Sequence, residues 1–255
     1  MIILAGGLGT RLSEETESKP KPMVLIGDKP ILWHLMNLFS KQGYSEFVLA
    51  LGYRSDVIKR WLVDLNQLDG SISLDTGSKK VSRLDESNQN PWKITALETG
   101  LNTQTGGRIA QCMRAFPGER MIATYGDGLA NLSVDKLVSF HSSHGRLATV
   151  TAVRPPARFG YLNIENKAVT HFSEKNQSDV GWINGGFFVL EPDVANLVSG
   201  DMVSFESEVL PQLAKRNQLM AHHHYEFWQP MDTLREKQEL TKLALEAEPP
   251  WLRGI

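Results

Sequence analysis

Short unbroken apolar runs alternate along this chain with longer stretches in which apolar residues recur every three or four positions. Ile2-Ile3-Leu4-Ala5 has the character of a buried strand and runs into glycines. From Pro30 to Gln42, the residues Ile31, Leu32, His34, Leu35, Leu38 and Phe39 fall on one helical face. Glu46 to Ala50 predicts a second strand, ending before Gly52, and Ser55 to Asp64 a helix capped by Ser55 with Asp56 in its first turn. A third strand at Met121–Tyr125 stops at Gly126, a helix follows over Val134–His144, and a fourth strand over Ala148–Val153. Gly160–Ile164 and Val169–Phe172 pattern as a hairpin, and Thr233–Glu248 as a last helix broken by Pro249-Pro250. Strands alternating with helices predict an α/β fold whose mainly parallel sheet is flanked by helices on both faces. Residues 69–107 break the pattern. They are polar, rich in Ser, Asn, Gln and Gly, and without a clean period, so they read as an irregular insertion in a single domain spanning 1–255.

Composition narrows the function classes. At 255 residues, 41% hydrophobic and 22% charged, the chain has the profile of a globular protein. A net charge of -2 excludes a broad basic footprint for nucleic acid but leaves room for a local phosphate pocket. The lone Cys112 cannot form an internal disulfide, and no Cys/His spacing suits zinc, which points to a reducing, cytoplasmic setting. The apolar start lacks a basic leader region, and no apolar run approaches the ~18 residues of a membrane span. His222-His223-His224 invites a metal reading, yet in a strand alternate residues face opposite ways, so only two of the three can share a site.

Candidate chemistry begins directly after the first strand. Gly6, Gly7 and Gly9 allow close backbone approach, so the Gly6-Gly7-Leu8-Gly9-Thr10-Arg11 turn can direct N–H groups at phosphate oxygens, with Thr10 adding a hydroxyl and Arg11 a cationic fork. Leu4, in the strand just before the turn, belongs to the same nucleotide-binding set. It is not a Walker loop, which needs Lys before Ser or Thr, nor a dinucleotide fingerprint, whose third glycine is Leu12 here. On the glycines alone a plain tight turn remains open. Downstream, Lys21 sits between Pro20 and Pro22, which fix the backbone and aim the amine. Asp127, between Gly126 and Gly128, reads either as a ligand-facing carboxylate or as strand-end turn chemistry. Asp232 reads either as a ligand or as the N-cap of the last helix.

Gly6 to Leu12, then Thr16, then Pro20-Lys21-Pro22-Met23 resembles the signature of the nucleotidyltransferases that activate sugar phosphates. The resemblance continues through Pro30–His34, Pro91-Trp92-Lys93, Thr105–Arg108, Thr124–Gly128, Gly181–Phe188 and Phe227–Thr233, nearly end to end. Thymidylyl and uridylyl enzymes usually carry Pro-Leu where this chain has Glu14-Glu15, which favours the cytidylyl branch. Asn176 after Glu174-Lys175, Tyr161 after Phe159-Gly160, and Glu98 before Thr99-Gly100 depart from the family pattern, and Tyr161 and Asn176 leave another sugar or nucleotide open.

That resemblance implies a Rossmann-like nucleotidyltransferase core with a mixed, mainly parallel sheet. It implies transfer of the CMP group of CTP to α-D-glucose 1-phosphate, giving CDP-glucose and pyrophosphate, dependent on Mg²⁺. Arg11, Lys21 and Lys175 would be catalytic, and Asp127 and Asp232 would bind the metal. Thr105, Gly106 and Arg108 would read the base, while Tyr125, Gly126, Glu174, Lys175 and Asn184 would hold the sugar phosphate. Small-molecule substrates and a homo-oligomer, with 69–107 as an exchange arm, complete the expectation. A non-catalytic binding module is the alternative of a different class. Such modules lose phosphate-loop, lysine or aspartate positions, and this chain keeps Arg11, Lys21, Asp127, Lys175 and Asp232.

Overall fold

The computed structural model describes residues 1–9, 12–67, 70–83, 91–155, 161–165, 167–173 and 181–255. Seven strands build the central sheet: β1 (Ile2–Leu4), β2 (Glu46–Leu51), β3 (Lys93–Glu98), β4 (Met121–Tyr125), β5 (Ala148–Val153), β6 (Ile183–Leu190) and β7 (Leu219–His224). Across the sheet they run β7-β5-β6-β4-β1-β2-β3. Only β6 is antiparallel to its neighbours, pairing with β5 and β4; every other pairing in the sheet is parallel. The sheet is therefore mixed and mainly parallel, with β1 at the point where the chain reverses its direction of travel across it.

Period-two alternation decides what each strand buries. Ile3, Leu49, Phe187 and Val189 enter the core on one face of the sheet, with Leu35 and Phe39 of the Ile31–Ser40 helix. Ile2, Val48, Ala50, Ala123, Phe188 and Leu190 enter the core on the other face, with Ile109 and Met113 of the Thr105–Ala115 helix. Both faces are covered, which is why these strands read as continuous apolar runs. Truncating any of the large side chains to Ala would cost about 2–5 kcal/mol. Trp251, in the turn after the last helix, is fully buried in the first of these cores.

The helix over Val134–His144 has the predicted bounds, capped by Ser133 and ended by Gly145 at φ 62°. The final helix spans Leu234–Ala244, shorter than expected at both ends. A hairpin pairs Tyr161–Glu165 with Ala168–Ser173, as the alternation suggested.

The stretch 69–107 differs from its irregular prediction. It contains an exposed hairpin (Ile72–Asp75 with Lys80–Arg83), the edge strand β3, and the start of the Thr105–Ala115 helix. Its alternation is weak because β3 pairs on one side only and is half-buried, while the hairpin buries almost nothing. Among the described residues, no helix is long and apolar enough to cross a membrane.

Candidate active site

The carboxyl edge of the sheet opens into a cleft of about 600 Å³ lined by both the glycine turn and the strand-end carboxylates. After β1 the chain makes the turn at Gly6, Gly7 and Gly9. A Cβ on Gly6 would stand 2.3 Å from the Arg108 guanidinium and 2.9 Å from Gly52 N, so only glycine fits there. Gly9 has φ 64°, the left-handed region glycine occupies without strain. The exit of the turn is tied by Thr16, whose hydroxyl lies 3.0 Å from Gly9 O and 2.9 Å from Leu12 O. Thr10 and Arg11 lie outside the described residues.

Three chain segments converge at the cleft floor. Pro20 and Pro22 flank a single 3₁₀ turn, closed by Met23 N donating to Pro20 O at 2.8 Å, and this turn aims Lys21 inward. Gly128–Ala130 pairs antiparallel with Trp228–Pro230, and Met231 N donates to Asp127 O at 2.8 Å. That short ladder places Asp127 and Asp232 side by side. Lys21 Nζ donates to Asp127 Oδ2 and Asp232 Oδ1, each at 2.6 Å. Burial opposes the ammonium charge, but the two carboxylates outweigh it and hold the Lys21 pKa above its ordinary value.

The two sequence readings of Asp232 are separated by the final helix. Thr233 is the N-cap and forms a capping box with Glu236, whose carboxylate accepts Asp232 N at 2.8 Å and Thr233 N at 2.9 Å. With the cap made by Thr233, the Asp232 carboxylate is directed to Lys21. Lys237 of the same helix pairs with Glu15 and so braces the turn that follows the glycines.

Asp127 and Asp232 are each about one-third exposed (32% and 33%) and already converge on one cation, the Lys21 ammonium. Two carboxylates with solvent access suit a hard divalent ion, which takes oxygen ligands and keeps waters and phosphate oxygens in its shell. The donor set fits such an ion. Among the described residues there is no group of three or more His, Cys, Asp or Glu of that kind. His222, His223 and His224 go to separate partners: the Phe140 ring, the Trp182 ring and Phe227 O respectively.

Arg108 is placed differently from the base-reading expectation. It is 4% exposed, and its terminal nitrogens donate to Leu51 O, Thr99 Oγ1, Gly6 O and Leu101 O at 2.6–3.2 Å. All its outward N–H bonds point at protein acceptors, so the guanidinium clamps the glycine turn to the loop after β3 instead of offering donors to a base. Gly106 packs its Cα against Val203 O, a close approach between backbones that a Cβ would block. Thr105 lines the cleft while its hydroxyl hydrogen-bonds to Glu206.

Beside Asp127, Tyr125 lines the cleft, and its hydroxyl donates to Glu206 Oε1 at 2.6 Å and accepts from Asn184 Nδ2 at 3.1 Å. Burial and the Glu206 charge raise the Tyr125 pKa, keeping the phenol protonated as a donor. Asn184 Oδ1 accepts Gly186 N at 2.8 Å, which fixes the amide's orientation. Gly126 packs 2.6 Å (to a Cβ position) from Leu4 O, holding the ends of β1 and β4 together. Glu174 and Lys175 lie outside the described residues. Glu206 is the residue that sequence reasoning missed.

A glycine turn at a sheet's switch point, facing a lysine held by two aspartates, is the arrangement of an enzyme that handles a triphosphate. The pattern of the nucleotidyl transferase family matches residues 1–234, and the chain belongs to that family. Within it, the glucose-1-phosphate cytidylyltransferase of Salmonella typhi is 43% identical over 251 residues, covering 98% of this chain and 97% of that protein. The catalytic subunit beta of mannose-1-phosphate guanylyltransferase from Drosophila melanogaster is 29% identical over 248 residues, covering 96% of this chain and 61% of that protein. Among solved structures, HddC from Yersinia pseudotuberculosis matches with a TM-score of 0.69 at 25% identity, covering 94% of this chain and 97% of that one. UDP-glucose pyrophosphorylase matches with a TM-score of 0.66 at 16% identity over 94% of this chain and 96% of that one, a likeness of fold.

Proposed function

We propose that this chain transfers the CMP group of CTP to α-D-glucose 1-phosphate, releasing pyrophosphate and forming CDP-glucose. The observation that carries the chemistry is Lys21 Nζ held 2.6 Å from both Asp127 and Asp232, across a cleft from the glycine turn. The choice of substrates is supported by the 43% identity, over nearly both full lengths, to the Salmonella typhi cytidylyltransferase.

In this reading the sugar-phosphate oxygen attacks the α-phosphorus of CTP. A phosphorus–oxygen bond to the sugar phosphate forms as the bond to the leaving pyrophosphate breaks. Both reactants are polyanions, so positioning and charge neutralisation supply most of the rate. The amides of Gly6, Gly7 and Gly9 orient the triphosphate, joined by Thr10 and Arg11 on the resemblance. Lys21 keeps positive charge beside the developing negative charge. Asp127 and Asp232 would hold Mg²⁺, which when bound offsets charge on the phosphates. Tyr125, Gly126 and Asn184 position the sugar phosphate, with Glu174 and Lys175 added by the resemblance. Thr105 borders the nucleotide side, and Arg108 acts by fixing the loops around it.

The test is pyrophosphate release from purified protein with Mg²⁺, scanning CTP, UTP, dTTP, ATP and GTP against several sugar 1-phosphates. Turnover confined to CTP with glucose 1-phosphate is expected. Preference for another pair would overturn the substrate assignment but keep the chemistry, whereas no turnover with any pair would sink the enzyme reading.

A further inference from the structure

Glu206 lies outside every motif and outside the cleft lining, yet the sugar-side and nucleotide-side contacts meet on its carboxylate. Oε1 accepts the Tyr125 hydroxyl at 2.6 Å. Oε2 accepts the hydroxyls of Thr105 and, at 3.1 Å, of Ser204. Through Tyr125 the chain of bonds continues to Asn184, and through Asn184 to Gly186 N.

The backbone that carries Glu206 is itself held. Ser204 caps the turn by accepting Ser207 N at 3.2 Å on its hydroxyl, and Ser204 N donates to Glu208 Oε1 at 2.8 Å. The turn over Phe205–Val209 is π-helical, with Val209 N bonded to Ser204 O. Such widened turns are concentrated at functional sites because they re-aim side chains that an α-turn would send elsewhere. Phe205, fully buried between this turn and Phe188, anchors it to the sheet.

We propose that Glu206 is a positioning residue for the sugar-phosphate half of the site, acting through the Tyr125 hydroxyl and, through it, the Asn184 amide. The inference rests on the proposed function above. A carboxylate accepts all of these hydroxyl protons at once. A glutamine in its place turns an NH₂ toward one of them, so that either Tyr125 or Thr105 must accept instead of donate on an oxygen that already accepts Asn184 Nδ2 or Phe205 N. The direction of the effect is diagnostic. If Glu206 contributed only its charge, neutralising it would ease binding of an anionic sugar phosphate. If it positions Tyr125, the same substitution weakens that binding.

The experiment compares wild type, Glu206→Gln, Tyr125→Phe and the double variant by pyrophosphate release, with thermal melts as a folding control. The expected result is a rise of about tenfold in KM for glucose 1-phosphate in each single variant, the size of one hydrogen bond to a charged group. KM for CTP should stay within about twofold, and the double variant should be no worse than the poorer single one. An unchanged or lowered KM for the sugar phosphate in Glu206→Gln, or equal rises for both substrates, overturns the proposal. Wild-type protein separates the two hypotheses: if it fails with CTP and glucose 1-phosphate the substrate reading is lost, and if it succeeds any failure belongs to Glu206.

Discussion

Two polar clusters sit at opposite edges of the same sheet, and they are built on opposite rules. At the carboxyl edge, Lys21, Asp127 and Asp232 concentrate three formal charges in a cleft open to solvent. At the amino edge, His141, His144, Thr149 and Glu191 form a one-way relay that needs both imidazoles neutral. Arg146 N donates to His144 Nδ1 at 2.9 Å, His144 Nε2 to Thr149 Oγ1 at 2.8 Å, Thr149 Oγ1 to His141 Nδ1 at 2.8 Å, and His141 Nε2 to Glu191 Oε1 at 3.0 Å. Each ring nitrogen has one role and the Thr149 hydroxyl accepts from one ring and donates to the other, an order fixed by the carboxylate at one end and the backbone N–H at the other. His141 and Thr149 are almost completely buried. The first cluster leaves charge facing a cavity; the second satisfies buried polar groups within the fold. A titratable cluster alone therefore does not mark a catalytic centre, and what separates these two is access and uncancelled charge.

Substitution should break that comparison in a graded way. Asp127→Asn removes a carboxylate from the cleft and should lower turnover about a thousandfold, some 4 kcal/mol of barrier. Its melting temperature should hold, and near-normal pyrophosphate release at saturating Mg²⁺ would remove Asp127 from the mechanism. Arg108→Met strips donors from buried carbonyls and should cost about 3 kcal/mol of stability. Thermal unfolding would show this as a drop of roughly 10 °C, together with weaker CTP binding because the glycine turn loses its clamp. Thr149→Val interrupts the relay and should cost about 2 kcal/mol with kcat unchanged. A loss of kcat without loss of stability would tie the amino edge to the chemistry.

The smallest effect is on the pH dependence of stability. Burial holds His141 below its ordinary pKa, and burial with neighbouring positive charge does the same for His144. A basic group whose folded pKa is depressed takes up more protons unfolded, so stability is complete above about pH 6.5 and declines as pH falls below it. Denaturant melts from pH 7.5 to 5.5 should show that decline, and His141→Gln, which removes one of the titrating imidazoles, should flatten it. An equal slope in both proteins would assign the acid sensitivity elsewhere.

How much of this was legible in the sequence follows from burial. The helix at Val134–His144 and the strand at Ala148–Val153 have sharp ends because a capping serine, a left-handed glycine and a strand buried at all but one position leave clear marks. The strand at Lys93–Glu98 was lost among polar residues because an edge strand needs apolar contacts on fewer positions. Lys21, Asp127 and Asp232 were picked out individually, but nothing in their spacing, 106 and 211 residues from the lysine, announces that they meet. Their convergence depends on a two-stranded ladder only three residues long on each side. Arg108 was misjudged because an arginine beside glycines looks the same on paper whether it faces a ligand or backbone carbonyls. Glu206 gave no signal, since its distant partners, Thr105 and Tyr125, come from two other parts of the chain.

That ladder also sets a schedule. A ribosome delivers Lys21 and Asp127 early, but Asp232 and the capping box that fixes it arrive with the last helix. At typical synthesis speeds the interval is on the order of ten seconds. During it, the growing chain carries the glycines without the Lys237–Glu15 brace, and a lysine with one of its two carboxylates. Trp228–Pro230 is the last strand of that ladder to be made, and Asp232 comes to stand beside the lysine only when it pairs with Gly128–Ala130.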